Sequence, residues 1–300
     1  MSALRTLLRE SIDYAGLFPP AALGMPEAVA NYASYRAGPH AWALGRFVVP
    51  TARLGELETA AAPLLPSSPA EPWPLAVLLG ADPAADLAAI GDFNCRHAAE
   101  GAGALLADVV EGKADTPAAV QRLLSRMPGY LRAYVEIPIG DDPTPLAAAV
   151  AAGGGRLKVR TGGVTPDAFP RTTDLVRFLR TALDAGVPFK ATAGLHHPLR
   201  AEYRLTYEPG SACGTMFGFL NLFLAAAYMR AGLDDREAGL LLEEREPGAI
   251  RFDASGVEWR SHRLDLAALS GARESAIVSF GSCSFTEPMG DLASLGLLPG

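Results

Sequence analysis

Cysteine is scarce in this chain and follows no pattern. The three that occur, Cys95, Cys213 and Cys283, are an odd number without C-x-x-C spacing, which argues against a disulfide framework and a zinc ribbon and fits a reducing, cytoplasmic setting. Charge of either sign is not gathered into runs. The 26 basic and 33 acidic residues give a net −7, and without clustered Lys and Arg to track phosphates no nucleic-acid partner is expected. The most apolar stretch, Met216 to Met229, is too short to span a bilayer, and charges break the N-terminal MSALRTLLRESIDYAG before a signal-peptide core can form. No membrane association is expected. No dinucleotide fingerprint or P-loop follows any apolar run, and no cofactor is expected.

What the chain does have is alternation. Apolar runs at Ile12 to Phe18, Arg46 to Pro50, Leu75 to Leu79, Ala104 to Val110 and Leu131 to Ile139 are strand candidates, followed by two runs centred on Lys158 and Lys190 and a last at Ala276 to Gly281. Helix-length segments lie between them: Met25 to Arg36 opened by Pro26, Arg53 to Leu65, Pro83 to Glu100, one capped by Thr116 with Pro117 at its first position, and Thr144 to Ala152. Pro66 to Pro74 reads as a surface connection, because the alternation resumes beyond it. After the seventh strand come helix-like segments at Gly214 to Arg230 and Asp234 to Glu246, a hairpin at Ile250 to Arg260 and a helix at Leu264 to Leu269. With 49% hydrophobic residues the chain can bury a full core. The expectation is one parallel (β/α)8 barrel over residues 1–300, with an enlarged helical and hairpin insertion at 198–262 between strands seven and eight.

Two strands with a lysine at their centre need a chemical reason, since a buried unpaired lysine costs several kcal/mol. Alternate residues of a barrel strand face the lumen, which groups Lys158 with Arg160, Lys190 with Thr192 and Gly194, and Tyr134 with Glu136. Asp13 and Asp108 add one acid each from the first and fourth strands. Near the strand C-terminal ends these residues converge on one pocket. Such a set suits imine chemistry: one amine loses its proton under the influence of a second cation and a dry pocket, attacks a carbonyl, and a carboxylate moves the next proton. The bland counterpart is a lattice of buried ion pairs.

The residues LKVRTGG and FKATAGLHH, with IDYAGL, LLADVVEG, AYVEIPI and SFGSCSF on other strands, resemble the class I aldolases of the deoxyribose-phosphate aldolase family. That resemblance implies Lys158 as the Schiff-base lysine, Lys190 as its activating partner and Asp108 as the proton-relay acid. The chain departs from the family pattern at Arg160, where a small residue is usual, at Leu195-His196-His197 after Gly194, and in its enlarged loops.

Further candidates for substrate binding are Asp13, Arg160, Thr192, His196, His197, Arg200, Ser282 and Ser284. The serines could offer hydroxyl and backbone donors to an anion that Arg160 and Arg200 neutralise. Cys283 reads as a small packing group, because no His or Asn partner can be placed beside it from sequence. The apolar segment 216–229 fits either core or a homo-oligomer interface, with Asn221 turned to the mouth. The functional expectation is a lyase acting on a small carbonyl or anionic substrate through a Lys158 imine. Two rivals stand beside it: a metal-assisted lyase or hydrolase using His196 or His197 with Glu136, and a non-catalytic barrel that binds an anionic metabolite.

Overall fold

The computed structural model describes residues 2–65, 72–98 and 104–298. Eight parallel strands close into a barrel: Ile12–Tyr14, Leu44–Pro50, Trp73–Leu78, Leu105–Lys113, Arg132–Glu136, Arg156–Arg160, Phe189–Thr192 and Ile277–Ser282, the first pairing with both the second and the last. The expected α/β barrel is therefore the fold. Parallel strands covered by helices are buried on both faces, which is why runs such as Phe47-Val48-Val49 and Val109-Val110 are apolar throughout.

Six helices, Met25–Ala37, Leu54–Ala61, Pro83–His97, Pro117–Leu124, Thr144–Ala152 and Thr172–Asp184, connect successive strands from the first to the seventh. Their starts follow from local chemistry. Thr116 accepts a hydrogen bond from the Ala119 amide, Asp82 accepts from Ala84 and Ala85, and prolines occupy first-turn positions where no N–H is missed. On Thr172–Asp184 the residues Leu175, Phe178, Leu179 and Ala182 are buried. Phe178 meets Phe189 of the seventh strand edge to face, with ring centroids 5.3 Å apart; burying each large side chain contributes about 2 kcal/mol. Most of the expected Pro66 to Pro74 connection, and Glu100 at the end of the expected third helix, lie outside the described residues.

Between strands seven and eight run an antiparallel hairpin, Ala201–Arg204 with Cys213–Met216, helices Phe219–Arg230 and Asp235–Leu242, a three-stranded sheet, Ile250–Phe252, Gly256–Trp259 and His262–Asp265, and helix Leu266–Ser275. Gly214 to Met216 is thus strand, not the start of a helix, and the hairpin at 250–260 has a third strand. Phe219–Met229 is buried on every side within the chain itself, with Phe219 stacked on Phe280 at 5.0 Å, so this helix presents no face to a second subunit. Nor does Asn221 face the barrel mouth. It donates to the Leu241 and Glu244 carbonyls and accepts from the Arg200 amide, tying the insertion together.

Two details position the site. The fourth strand runs to Lys113, beyond the expected end at Val110, so Glu111 lies inside it. The same strand carries a bulge: Leu75 pairs with Ala107 but Ala76 pairs with Val109, leaving Asp108 as the extra residue.

Candidate active site

Register brings the lysines together. Glu136 is aligned with Lys158, and Lys158 with Lys190, across strands five, six and seven. All three side chains share the lumen face, and Glu111 enters from strand four. Lys190 Nζ donates to Asp13 Oδ2 at 2.6 Å and to Glu111 Oε1 at 2.5 Å. Lys158 Nζ lies 2.7 Å from Glu111 Oε2 and 2.8 Å from Glu136 Oε2. One carboxylate, Glu111, therefore bridges the two amines. Asp13 is fixed in turn by the Ser279 hydroxyl at 2.8 Å and the Arg46 amide at 2.8 Å. The neighbouring Gly45 is needed there, because a side chain at that position would collide with the Asp13 carboxylate.

The lysines are held differently. Lys190 makes two aligned hydrogen bonds, whereas among the described residues Glu136 Oε2 has no aligned hydrogen bond and meets Lys158 as an ion pair at 2.8 Å. Burial alone lowers the pKa of Lys190, but Asp13 and Glu111 outweigh it and the net shift is upward. The expected depression of a lysine by its like-charged neighbour does not apply to Lys190, since a carboxylate is interposed. Glu111 is the mirror case: burial raises its pKa, Lys158 and Lys190 lower it more, and it settles at about 2. Glu136 is likewise raised by burial and lowered further by Lys158 and Arg160, for a net decrease.

Above the amines, at the C-terminal ends of the strands, is a cavity of about 310 Å³. Lys158, Lys190 and Glu111 line it together with Thr192 and Arg160, and apolar Phe18, Val48 and Leu78 supply other walls. Val48, Ala76, Val109 and Tyr134 form a small apolar cluster apart from the main core, packed against Phe18 and Leu78 of the cavity wall, with the Lys190 ammonium 5.6 Å from the Tyr134 ring centre. The loop after strand seven reaches the cavity through two consecutive left-handed residues, Ala193 at φ 63° and Gly194 at φ 70°. A Cβ on Gly194 would stand 2.7 Å from Phe169 and 2.9 Å from the Gly162 Cα, so glycine is required there on two counts.

The other expected residues divide between this cavity and elsewhere. Arg160 stands at the rim with Nε 3.2 Å from Glu136 Oε1. Asp108 is not part of the cavity lining. Its carboxylate pairs with Arg46, at 2.7 and 2.6 Å, and with Arg132, nearer the N-terminal end of the barrel. The acid between the lysines is Glu111, three residues on. His197 leaves the cavity too, bonding Asp291 at 2.6 Å and stacking on Tyr203 at 3.5 Å. Arg200 lies over the Phe217 ring at 4.4 Å and shares a separate groove with His197, away from Arg160. The Ser284 hydroxyl accepts from the Glu287 amide at the start of the last helix, Thr286–Ser294, and Ser282 lies 3.4 Å from His196; both serines are engaged within the fold.

His196 does line the cavity, and Cys283 lines it with His196 Nδ1 3.8 Å away, so the cysteine is not merely a packing group. His196 and His197 both approach Glu287, at 3.4 and 3.9 Å, whereas Glu136 pairs with Lys158 and Arg160, and among the described residues no three His, Cys, Asp or Glu side chains are grouped to hold a metal. No helix among the described residues is long and apolar enough to cross a membrane. Comparison with protein-family models, with curated proteins and with solved structures finds no match.

Proposed function

We propose that this barrel is a lyase of the class I aldolase type, forming an imine between Lys158 and a small carbonyl substrate. The observation that carries the reading is the pair of buried lysines on adjacent strands, bridged by Glu111 at the floor of a cavity in the C-terminal mouth. Three acids, Asp13, Glu111 and Glu136, surround two amines. A proton leaving Lys158 thus has two acceptors within the cluster, Glu111 at 2.7 Å and Glu136 at 2.8 Å. Lys190 stays charged between Asp13 and Glu111. Its role is to keep Glu111 ionised and to favour developing negative charge on the substrate oxygen.

In the proposed reaction the neutral Lys158 amine adds to the carbonyl carbon, and the carboxyl that took its proton returns it to the departing water. The iminium then accepts the electron pair of the Cα–Cβ bond as it breaks, the β-hydroxyl giving its proton to a carboxylate and becoming a second carbonyl, or accepts the pair of the Cα–H bond in a dehydration, the β-hydroxyl leaving as water. Protonation of the resulting carbon framework and hydrolysis of the imine free Lys158. The cavity volume limits the substrate to a compact molecule. Arg160 at the rim favours one with an anionic or hydroxylated tail, such as a small oxo-acid or sugar-like compound.

Incubation with a broad panel of such carbonyl compounds, followed by borohydride reduction and intact-mass measurement, tests this. One reduced adduct per chain is expected with at least one member. A panel that gives none, while a known imine-forming aldolase is fully labelled, removes the covalent mechanism. The compensated charges also favour a second reading, a non-catalytic barrel whose ion lattice is structural. In that case ligands stabilise the fold without turnover, and replacing Lys158 by Met leaves their binding unchanged.

A further inference from the structure

The cavity holds a second reactive group that the imine reading does not use. Cys283 follows the eighth strand, is buried, and lines the same space as Lys158 and Lys190. Polar groups face it from four elements. His196 Nδ1, in the loop after strand seven, is 3.8 Å from the sulfur, and the Tyr207 hydroxyl, from the 201–216 hairpin, is 3.5 Å away. Glu287, in the last helix, lies 3.4 Å from His196 Nδ1 and accepts from Tyr207 at 3.2 Å. Tyr14, on the first strand, is close enough for its own ionisation to be opposed by that of the thiol.

These contacts shift both ionisations. Burial alone lowers the pKa of His196, but its bonds to Cys283 and Glu287 raise it to about 9. Burial alone raises the pKa of Cys283, but His196 outweighs it and the net shift is downward. Both shifts favour an imidazolium beside a thiolate over the neutral pair. The other two cysteines, Cys95 and Cys213, are exposed.

We propose that Cys283 is a second nucleophile of the cavity, adding reversibly to the carbonyl carbon of a small aldehyde with His196 as proton donor. In this step the sulfur lone pair forms the C–S bond, the carbonyl π pair moves to oxygen, and oxygen takes the His196 proton. The product is a neutral hemithioacetal beside a neutral imidazole, with no leaving group and no change of oxidation state. An aldehyde suits the site because its addition needs one proton donor and no departing fragment. The step does not depend on imine formation at Lys158.

The test follows iodoacetamide alkylation of the three cysteine peptides by mass spectrometry from about pH 5.5 to 9, with and without acetaldehyde. The exposed Cys95 and Cys213 serve as internal references. The pH–rate inflection of Cys283 is expected below theirs, and His196→Gln is expected to move it up, because burial is then no longer outweighed. Millimolar acetaldehyde is expected to slow Cys283 by about tenfold while the other two stay within about twofold. The proposal is overturned by an inflection that coincides with those of the exposed thiols, by a Cys283 that is never alkylated, or by alkylation undiminished by the aldehyde. Should His196→Gln not fold, the wild-type profile and aldehyde protection decide it alone.

Discussion

Glu111 touches both lysines, and each lysine touches a second acid; removing any one charge strands another. Lys190→Met leaves Asp13 and Glu111 buried without their cation, a loss on the order of 3–5 kcal/mol, and is expected to lower the melting temperature by roughly 10 °C. A thermal melt within about 2 °C of wild type would mean that the carboxylates find other partners. Both lysines were legible in the sequence because a cation at the centre of an apolar strand breaks the expected pattern. Glu111 was not, although it stands in the same LLADVVEG segment as Asp108. Asp108 sits in a bulge, which shifts the alternation that places side chains in or out, and the strand continues past its apolar run to Lys113. Extending the alternation from Val109 through Glu111 would have found it. The Cys283–His196 contact joins residues 87 positions apart, and no local pattern encodes that.

At the scale of elements, the loop after strand seven sets the height of His196 over the lysines. Its path depends on left-handed backbone at Ala193 and Gly194 and on close packing of Gly194 against Phe169 and Gly162. Gly194→Ala is expected to cost roughly 1–3 kcal/mol and to raise KM more than it changes kcat, because it displaces the cavity wall and leaves the amines in place. Steady-state kinetics on any substrate found in the carbonyl screen check this, and unaltered KM would show that the loop tolerates the change. The barrel strands and their helices were readable from alternation and caps. The insertion was less so: Phe219–Arg230 has no polar face, and a helix apolar all round gives no clue whether protein core or another subunit covers it. Strands such as Ala201–Arg204, half exposed and polar, carry no periodic signal strong enough to separate them from loop.

For the molecule as a whole, the ion cluster links stability to acid. Glu111 titrates near 4.5 by default and near about 2 in the fold. Its ionised form therefore stabilises the protein above about pH 4.5, and that contribution fades as the pH falls from there toward 2. Protonation would leave two buried ammonium groups sharing Asp13 and Glu136. Denaturant midpoints measured from about pH 6 down to 3 are expected to fall steeply for the wild type and less steeply for Glu111→Gln, which has already lost the linkage. Parallel slopes would place the acid-sensitive group elsewhere.

The whole account turns on which nitrogen bears the substrate. Peptide mapping of the borohydride-reduced complex reads this directly: the added mass is expected on the peptide holding Lys158, with Lys190 unmodified, and is expected to vanish in Lys158→Met. Mass on Lys190, or labelling of the Lys158→Met chain to the same extent as wild type, would contradict it.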